Sequence, residues 1–303
     1  MAEMEVIMKK KIISGLLCMA MAVTLFAGCG SSGSSGKSSS DSSASSSSES
    51  SDSDGELERI KESGKLIVGI NADYAPYGFH ANIDGKDEIQ GIDVMVAEQV
   101  AKDMGVELQL LESNFDMLIS ELQAGQCDVI ISCLSPTDER KKQIDFSEGY
   151  SQDKVLAAIR KEDSDKYHTF DDLKGKKIGC AYGTIQESLV KKQLPDEDVE
   201  YREGMAELFL ELTAGQVDAV VSTESVIKMA MEKNPDIQIA EGSEFDESLL
   251  GMDGGEGAAV GIRKNSQSVV DSVNATIERL KKSGELDTYM DKACELAVQS
   301  GAD

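Results

Sequence analysis

Four short stretches of the chain carry residue types that together could hold a small charged molecule. The first is Asn71-Ala72-Asp73-Tyr74-Ala75-Pro76-Tyr77, with two aromatic faces and several polar groups on a turn. The second is Ser132-Cys133-Leu134-Ser135-Pro136-Thr137-Asp138-Glu139-Arg140. Ser135 before Pro136 predicts a helix start, with a hydroxyl cap and proline in the first helical position. Arg140, just over a turn further on, could reach back to it. Hydroxyls, a helix N-terminus and a guanidinium suit a carboxylate. The third, Tyr182-Gly183-Thr184-Ile185-Gln186-Glu187, places Thr184 and Glu187 at capping-box spacing and predicts a second anion-favouring helix start. The fourth is Ser222-Thr223-Glu224-Ser225, where Glu224 is a candidate partner for an ammonium group. Each signal also has a plain alternative. Ser135-Pro136 can be a cap alone, Arg140 one more solvated charge among its charged neighbours, and Tyr74, Tyr77 and Phe115 ordinary packing.

What binds these stretches into one expectation is the set of elements that must position them. Residues 119–132 read ISELQAGQCDVIIS and residues 209–222 read FLELTAGQVDAVVS, identical at seven of fourteen positions. Both describe a helix ended by a glycine suited to the left-handed conformation, Gly125 or Gly215, and then a short apolar strand, 127–131 or 217–221. Upstream, 66–70 and 177–181 read as buried strands after a Gly-Lys turn. Residues 92–104 have apolar residues at helical spacing with Gly105 as the stop, 106–111 is a further strand, and Asn114 is placed to cap the helix bearing Phe115. Strands alternating with helices imply βαβ units. The expectation is an α/β chain of two similar lobes, each a mostly parallel sheet flanked by helices. The first lobe spans 56–151 and the second 152–253. Residues 254–303 return to the first, through a glycine cluster that includes Gly251, Gly254, Gly255 and Gly257. In such sheets ligands lie beyond the carboxyl ends of the strands, which is where the four stretches fall. Two crossovers make a hinge about which lobes can close.

Composition narrows the function further. Acidic residues outnumber basic ones 56 to 30, for a formal charge of −26, which argues against a nucleic-acid partner. There is no Trp, and the two histidines, His80 and His168, lack a nucleophile-like setting. No Walker-type phosphate loop is present, and neither a metal nor a cofactor is expected. Near the start, Lys9–Lys11 precede an apolar run from Ile12 to Phe26, too short to span a bilayer but suited to a signal peptide. It ends in Leu25-Phe26-Ala27-Gly28-Cys29-Gly30, which resembles a bacterial lipobox, with Phe26 where Leu is usual. Residues 1–29 are therefore expected to be a lipoprotein signal with Cys29 the lipidated residue. The serine-rich stretch 30–55 is expected to be a flexible tether. Cys127 and Cys133 fall on one strand, too far apart to pair directly; Cys127, Cys133, Cys180 and Cys294 are expected to be buried free thiols, with other pairings left open by the sequence.

From Gly64 onward the chain resembles the family 3 extracellular solute-binding proteins. The stretches that carry the likeness are GKLIVGINADYAPYGF at 64–79, GIDVMVAEQVAKDMG at 91–105, FDMLISELQAGQCDVIISCLSPTDERKKQIDFS at 115–147, GKKIGCAYGTIQE at 175–187 and LTAGQVDAVV at 212–221. The resemblance implies a two-lobed, type II periplasmic-binding-protein-like fold. It implies capture of an amino acid by lobe closure and delivery to an ABC permease and its ATPase, by a monomer held at the outer face of the bacterial membrane. By position, Arg140 would pair with the ligand α-carboxylate and Ser135 would lie near it. Ser132 and Cys133 would contribute backbone groups, and Ile185 would donate its N–H beside Thr184 and Gln186. Tyr74 and Phe115 would sandwich the ligand, and Ala181 would line the pocket. Two departures stand out. Thr223 and Asn71 occupy positions where relatives carry Asp, the first for the ligand amine, and the nearest acid to Thr223 is Glu224. An enzyme on the same fold, resembling cyclohexadienyl dehydratases, is the competing function.

Overall fold

The computed structural model describes residues 55–252 and 257–301. The expected signal, Cys29 and nearly all of the tether lie outside the described residues, as do Gly254 and Gly255. The first lobe opens with α1 (Glu56–Ser63), β1 (Lys65–Ile70), β2 (Asp73–Tyr74), β3 (Gly78–Ile83) and β4 (Lys86–Gln90). It continues through α2 (Ile92–Met104), β5 (Glu107–Glu112), α3 (Leu118–Gln123), β6 (Val129–Ile130), α4 (Asp138–Lys141) and β7 (Asp145–Ser151). The second lobe holds β8 (Val155–Arg160), β9 (Lys177–Ala181), α5 (Ile185–Gln193) and β10 (Asp198–Arg202). After these come α6 (Met205–Thr213), β11 (Ala219–Thr223), α7 (Glu224–Lys233) and β12 (Ile237–Ile239). The chain then returns with β13 (Ala258–Ile262), α8 (Gln267–Ser283) and α9 (Glu285–Ser300).

Each lobe is built on a five-stranded sheet, ordered β5-β1-β6-β13-β7 in the first and β10-β9-β11-β8-β12 in the second. The parallel trio at the heart of each, β5-β1-β6 and β10-β9-β11, is the duplicated part. The fourth strand of each sheet, β13 or β8, runs antiparallel to that trio, and the last, β7 or β12, pairs antiparallel with the fourth and so runs the same way as the trio. The structure explains why the repeat keeps its residues. Gly125 and Gly215 both have positive φ, +74° and +71°, where a side chain would be strained. Asp128 accepts from the N–H of Ile67 at 2.8 Å, and Asp218 from that of Lys177 at 3.0 Å, so each aspartate fixes the register of the neighbouring strand. Arg263 donates to the carbonyls of Leu122 and Cys127, and Arg160 to those of Leu212 and Val217. One arginine per lobe thus caps the helix end that the repeat's Ala-Gly-Gln turn leaves open.

Some boundaries differ from expectation. The strand expected at 217–221 runs from 219 to 223, because pairing with β8 continues through Ser222↔Leu156 and Thr223↔Val155. The strand expected at 127–131 is only Val129–Ile130 by pairing, although Asp128 and Ile131 still donate to β1. Asn114 occupies the cap position of a single 3-10 turn, Phe115–Met117, but its side chain makes no capping bond. The sheet β2-β3-β4 is an additional antiparallel unit. Its turn, Asp84-Gly85, has both residues at positive φ, 52° and 85°, as a tight hairpin requires. The four described cysteines are thiols, with Cys127 and Cys180 buried.

Two features of the first lobe position the cavity described below. The Ile92 and Asp93 N–H groups at the start of α2 donate to the carbonyls of Pro76 and Tyr77, both at 3.1 Å, so the turn after β2 caps this helix without a side chain. Gly91 makes that approach possible. Its φ is +129°, and a Cβ there would lie 1.9 Å from the Tyr77 oxygen. At the crossovers, a Cβ on Gly257 would lie 1.8 Å from the Ser151 carbonyl oxygen, so the residue entering β13 lies against the residue leaving β7. Gly91→Ala is expected to destabilise the protein by about 3 kcal/mol or more, a fall of about 6–12 °C in Tm by calorimetry for a domain of this size. An unchanged Tm would show that the Tyr77 carbonyl does not hold this helix start.

Candidate functional site

Between the lobes lies a cleft with about 550 Å³ not filled by protein atoms, part of it open to solvent. Thirteen of the expected site residues line it: Asn71, Tyr74, Tyr77 and Phe115; Ser132, Cys133, Ser135 and Arg140; Ala181, Thr184, Ile185, Gln186 and Thr223. Glu224 does not. Because β11 extends through Thr223, Glu224 becomes the first residue of α7, and its carboxylate pairs with Lys228 at 2.6 Å. It faces a neighbouring depression shared with Asp153 and Cys294 instead.

Arg140 is the cation of the cavity. Its two terminal nitrogens donate to main-chain carbonyls on opposite lobes, Ser135 at 3.0 Å and Gly183 at 3.1 Å. The guanidinium carbon lies 5.4 Å from the centre of the Phe115 ring, a cation–π distance. Among the described residues no carboxylate comes within ion-pairing distance of it. Burial alone pulls its pKa down to about 10, so it stays charged at neutral pH without a counter-ion. The helix start expected at Ser135-Pro136 begins two residues later. Thr137 is the cap, its hydroxyl accepting from the Arg140 N–H at 3.2 Å, and α4 is only four residues long. One turn carries little dipole, so on this side the attraction for an anion comes from the guanidinium.

The second lobe supplies a true helix start. Ile185 and Gln186 open the nine-residue α5, and first-turn N–H groups have no partner within their own helix. Thr184 caps it, accepting from the Glu187 N–H at 3.3 Å and donating to the Ala181 carbonyl at 2.7 Å. The reciprocal half of the expected box is shifted by one residue. The Glu187 carboxylate takes the Gly183 N–H at 2.6 Å, leaving Thr184's own N–H out of it.

Tyr74 ties the lobes together. Its hydroxyl lies 3.1 Å from Ser222 Oγ and 3.3 Å from Thr223 Oγ1, and it accepts from Gln186 Nε2 at 3.2 Å. Its ring stacks on Tyr77 at 5.8 Å. Tyr77 in turn donates to Asp153 at the first crossover, and Asp153 also accepts from the Ser225 N–H at the start of α7. Several groups expected to face a ligand instead brace the wall. Ser132 Oγ accepts from the Asn71 N–H at 3.0 Å. The Asn71 amide donates to the Ser113 carbonyl. The Cys133 N–H donates to the Tyr150 hydroxyl at 3.0 Å, so that backbone group is already engaged.

Three lining residues lay outside the expected set: Asp93, Tyr182 and Glu203. Tyr182 and Glu203 are exposed at the mouth. Asp93 is only 1% exposed. Its Oδ1 accepts from the Tyr150 hydroxyl at 2.6 Å, while Oδ2 has no hydrogen-bond partner. Burial raises its pKa to about 7, against the opposing effects of the Tyr150 hydrogen bond and the nearby Cys133 N–H. An acidic residue in the first turn of a helix usually answers the helix dipole, and that ordinary explanation hides this one in sequence.

The arrangement is that of a binding cleft: one half-buried cation, one buried acid, a helix start and aromatic walls contributed by both lobes. Comparison with known proteins agrees with it. The L-cystine-binding protein TcyJ of Escherichia coli K12 is 30% identical over 239 residues, covering 79% of this chain and 86% of its own. An amino acid ABC transporter substrate-binding protein from Streptococcus pneumoniae, solved with L-arginine, superposes with a TM-score of 0.75. It is 36% identical and covers 80% of this chain and 98% of its own. An ancestral amino acid-binding protein described as a precursor of cyclohexadienyl dehydratase superposes at 0.69, with 29% identity over 78% of this chain and 98% of its own. The profile of the bacterial extracellular solute-binding proteins, family 3, matches residues 66–295, and the chain belongs to that family.

Proposed function

We propose that the protein captures a free amino acid between its lobes and delivers it to the permease of an ABC importer. The α-carboxylate would lie between the Arg140 guanidinium and the first-turn N–H groups of Ile185 and Gln186, with Tyr74 and Phe115 on its flanks. One observation carries this assignment: Arg140 is half-buried in the cleft with two carbonyls and an aromatic face, yet among the described residues no carboxylate pairs with it. A buried charge without a partner is unfavourable, and a ligand carboxylate would complete it bidentately. Because the anion would touch both lobes, binding favours the closed arrangement over an open one.

Delivery is the part the sequence outside residues 55–301 supports. The Lys9–Lys11 cluster, the short apolar run and the lipobox-like ending at Cys29 fit a protein held by a lipid at the outer face of the membrane. The serine-rich stretch would let it reach a permease as a monomer. Among the described residues no helix is long and apolar enough to cross a membrane.

One observation favours a second function. Asp93 is an acid in the cavity with a pKa raised to about 7, a property suited to general acid catalysis, and the chain resembles a dehydratase precursor. Incubation with prephenate or L-arogenate is expected to give no product; turnover would establish the enzyme instead.

Screening by thermal shift against the twenty amino acids and L-cystine should identify the ligand. Arg140→Ala is then expected to weaken its binding by about 2–5 kcal/mol, a factor of about 30 to several thousand in Kd by isothermal titration. Unchanged affinity would remove the carboxylate assignment. Tyr74→Phe leaves Ser222, Thr223 and Gln186 without their shared partner. It should weaken binding about tenfold and enlarge the radius of gyration of the ligand-free protein in X-ray scattering. A variant as compact and as tight-binding as the parent would show that the cross-lobe hydroxyl contributes nothing to closure.

A further inference from the structure

The capture site above accounts for an anion but leaves one buried group of the cavity unused. Asp93 lines the same cavity as Arg140 from the opposite chemical sense. Its residue is 1% exposed, and one carboxylate oxygen, Oδ2, has no hydrogen-bond partner. The other oxygen is held at 2.6 Å by Tyr150, whose hydroxyl is itself fixed by the Cys133 N–H. The carboxylate is therefore oriented and half satisfied, in a residue that lines the cavity. The position expected to recognise an amine, Thr223, carries no acid, and the neighbouring Glu224 is turned to Lys228 outside the cavity. Buried polar atoms are nearly always paired, so an orphaned carboxylate oxygen in a ligand cavity marks the place of a missing donor.

We propose that Asp93 Oδ2 receives a positively charged nitrogen of the bound ligand, and that this first-lobe aspartate takes the role of ammonium recognition that neither Thr223 nor Glu224 can fill. The inference rests on the capture function proposed above and deepens it. Both charged ends of the ligand would then be held mainly by the first lobe, through Arg140 and Asp93. The second lobe would contribute α5 N–H groups and the Tyr74 partners. The ligand would dock on one lobe before the other closes over it.

Charge pairing makes the interaction pH-dependent, with a definite sign. The groups facing Asp93 are Tyr150 from β7 and Cys133 from the loop after β6, with Tyr77, Arg140 and Asp153 beyond Cys133. Burial raises the Tyr150, Tyr77 and Cys133 values well above their usual ranges, so these three stay neutral. Arg140 stays charged. Asp93, raised to about 7, changes charge between pH 8 and pH 5.5. A cation binds its ionised form, so affinity should be full above pH 7 and fall as pH drops through that value. The loss by pH 5.5 is up to about 30-fold relative to pH 8.

The test is isothermal titration of the full protein with L-arginine and with L-glutamine, at pH 8 and pH 5.5, for the parent, Asp93→Asn and Arg140→Ala. Asn is nearly isosteric and keeps an oxygen for Tyr150. Without ligand, Asp93→Asn should melt at or above the parent temperature, because a buried charge has been removed. With ligand it should bind about 10- to 100-fold more weakly and lose the pH dependence. An equal loss for both amino acids identifies the nitrogen as the α-ammonium. A loss confined to L-arginine identifies the side-chain guanidinium; both support the proposal. If the ligand-free variant melts lower, the parent's pH profile decides: weakening below pH 7 supports the proposal and a flat profile overturns it. Asp93→Asn binding like the parent, with flat pH profiles, overturns it outright. If Arg140→Ala then still abolishes binding, the capture function stands without this inference. Parent protein that binds no amino acid overturns both.

Discussion

A half-buried guanidinium with no carboxylate paired to it among the described residues is the constraint on which the site depends. Removing a charge from water is strongly unfavourable unless hydrogen bonds and an opposite charge replace the hydration. Arg140 has the first and lacks the second. Ser135 from its own lobe and Gly183 from the other accept from it, and Phe115 offers a ring face. Two neutral carbonyls do not neutralise a cation. On the function proposed above, a ligand anion would complete the electrostatics of this site. Since one of the carbonyls belongs to the facing lobe, the same side chain reports whether the lobes are together.

The scaffold that places Arg140 is a duplicated unit with a shared internal brace. Asp128 and Asp218 pin strand register, and Arg263 and Arg160 close the helix ends above them. The bracing arginine sits at the end of the fourth strand of each sheet, Arg160 as the last residue of β8 and Arg263 as the first after β13. In the first lobe that strand arrives only after the chain has built the second. The return crossover therefore does more than finish a sheet. It delivers the residue that rigidifies the α3 end, next to the strand from whose loop Ser132, Cys133 and Ser135 reach the cavity.

Much of this was legible in the sequence because it repeats. The seven identities between 119–132 and 209–222 encode helix, left-handed glycine, aspartate and strand, and each has the same role twice. The loops after the strands followed from that, and with them most of the cavity wall. What lacked a duplicate was harder to read. The β2-β3-β4 sheet has a polar fourth strand, Lys86–Gln90, with little periodic pattern, although Asp84-Gly85 carried the turn signal. Strand ends set by pairing with β8 moved Thr223 into the sheet and Glu224 out of the cavity. Pro136 suggested a helix start that the cap at Thr137 postponed. Asp93 was hidden for a different reason: sequence shows an acid at a helix start, but only packing shows that Ile92, Val94 and Val96 are buried around it and that Tyr150 reaches just one of its oxygens.

The central claim is that a ligand carboxylate neutralises Arg140. The most direct measurement compares two ligands instead of two proteins: the amino acid giving the largest thermal shift, and its α-carboxamide, which keeps the shape and the ammonium but not the negative charge. Titrated side by side at pH 8, the acid should bind and the amide should lose most of its affinity. An amide that binds as tightly as the acid would contradict the account.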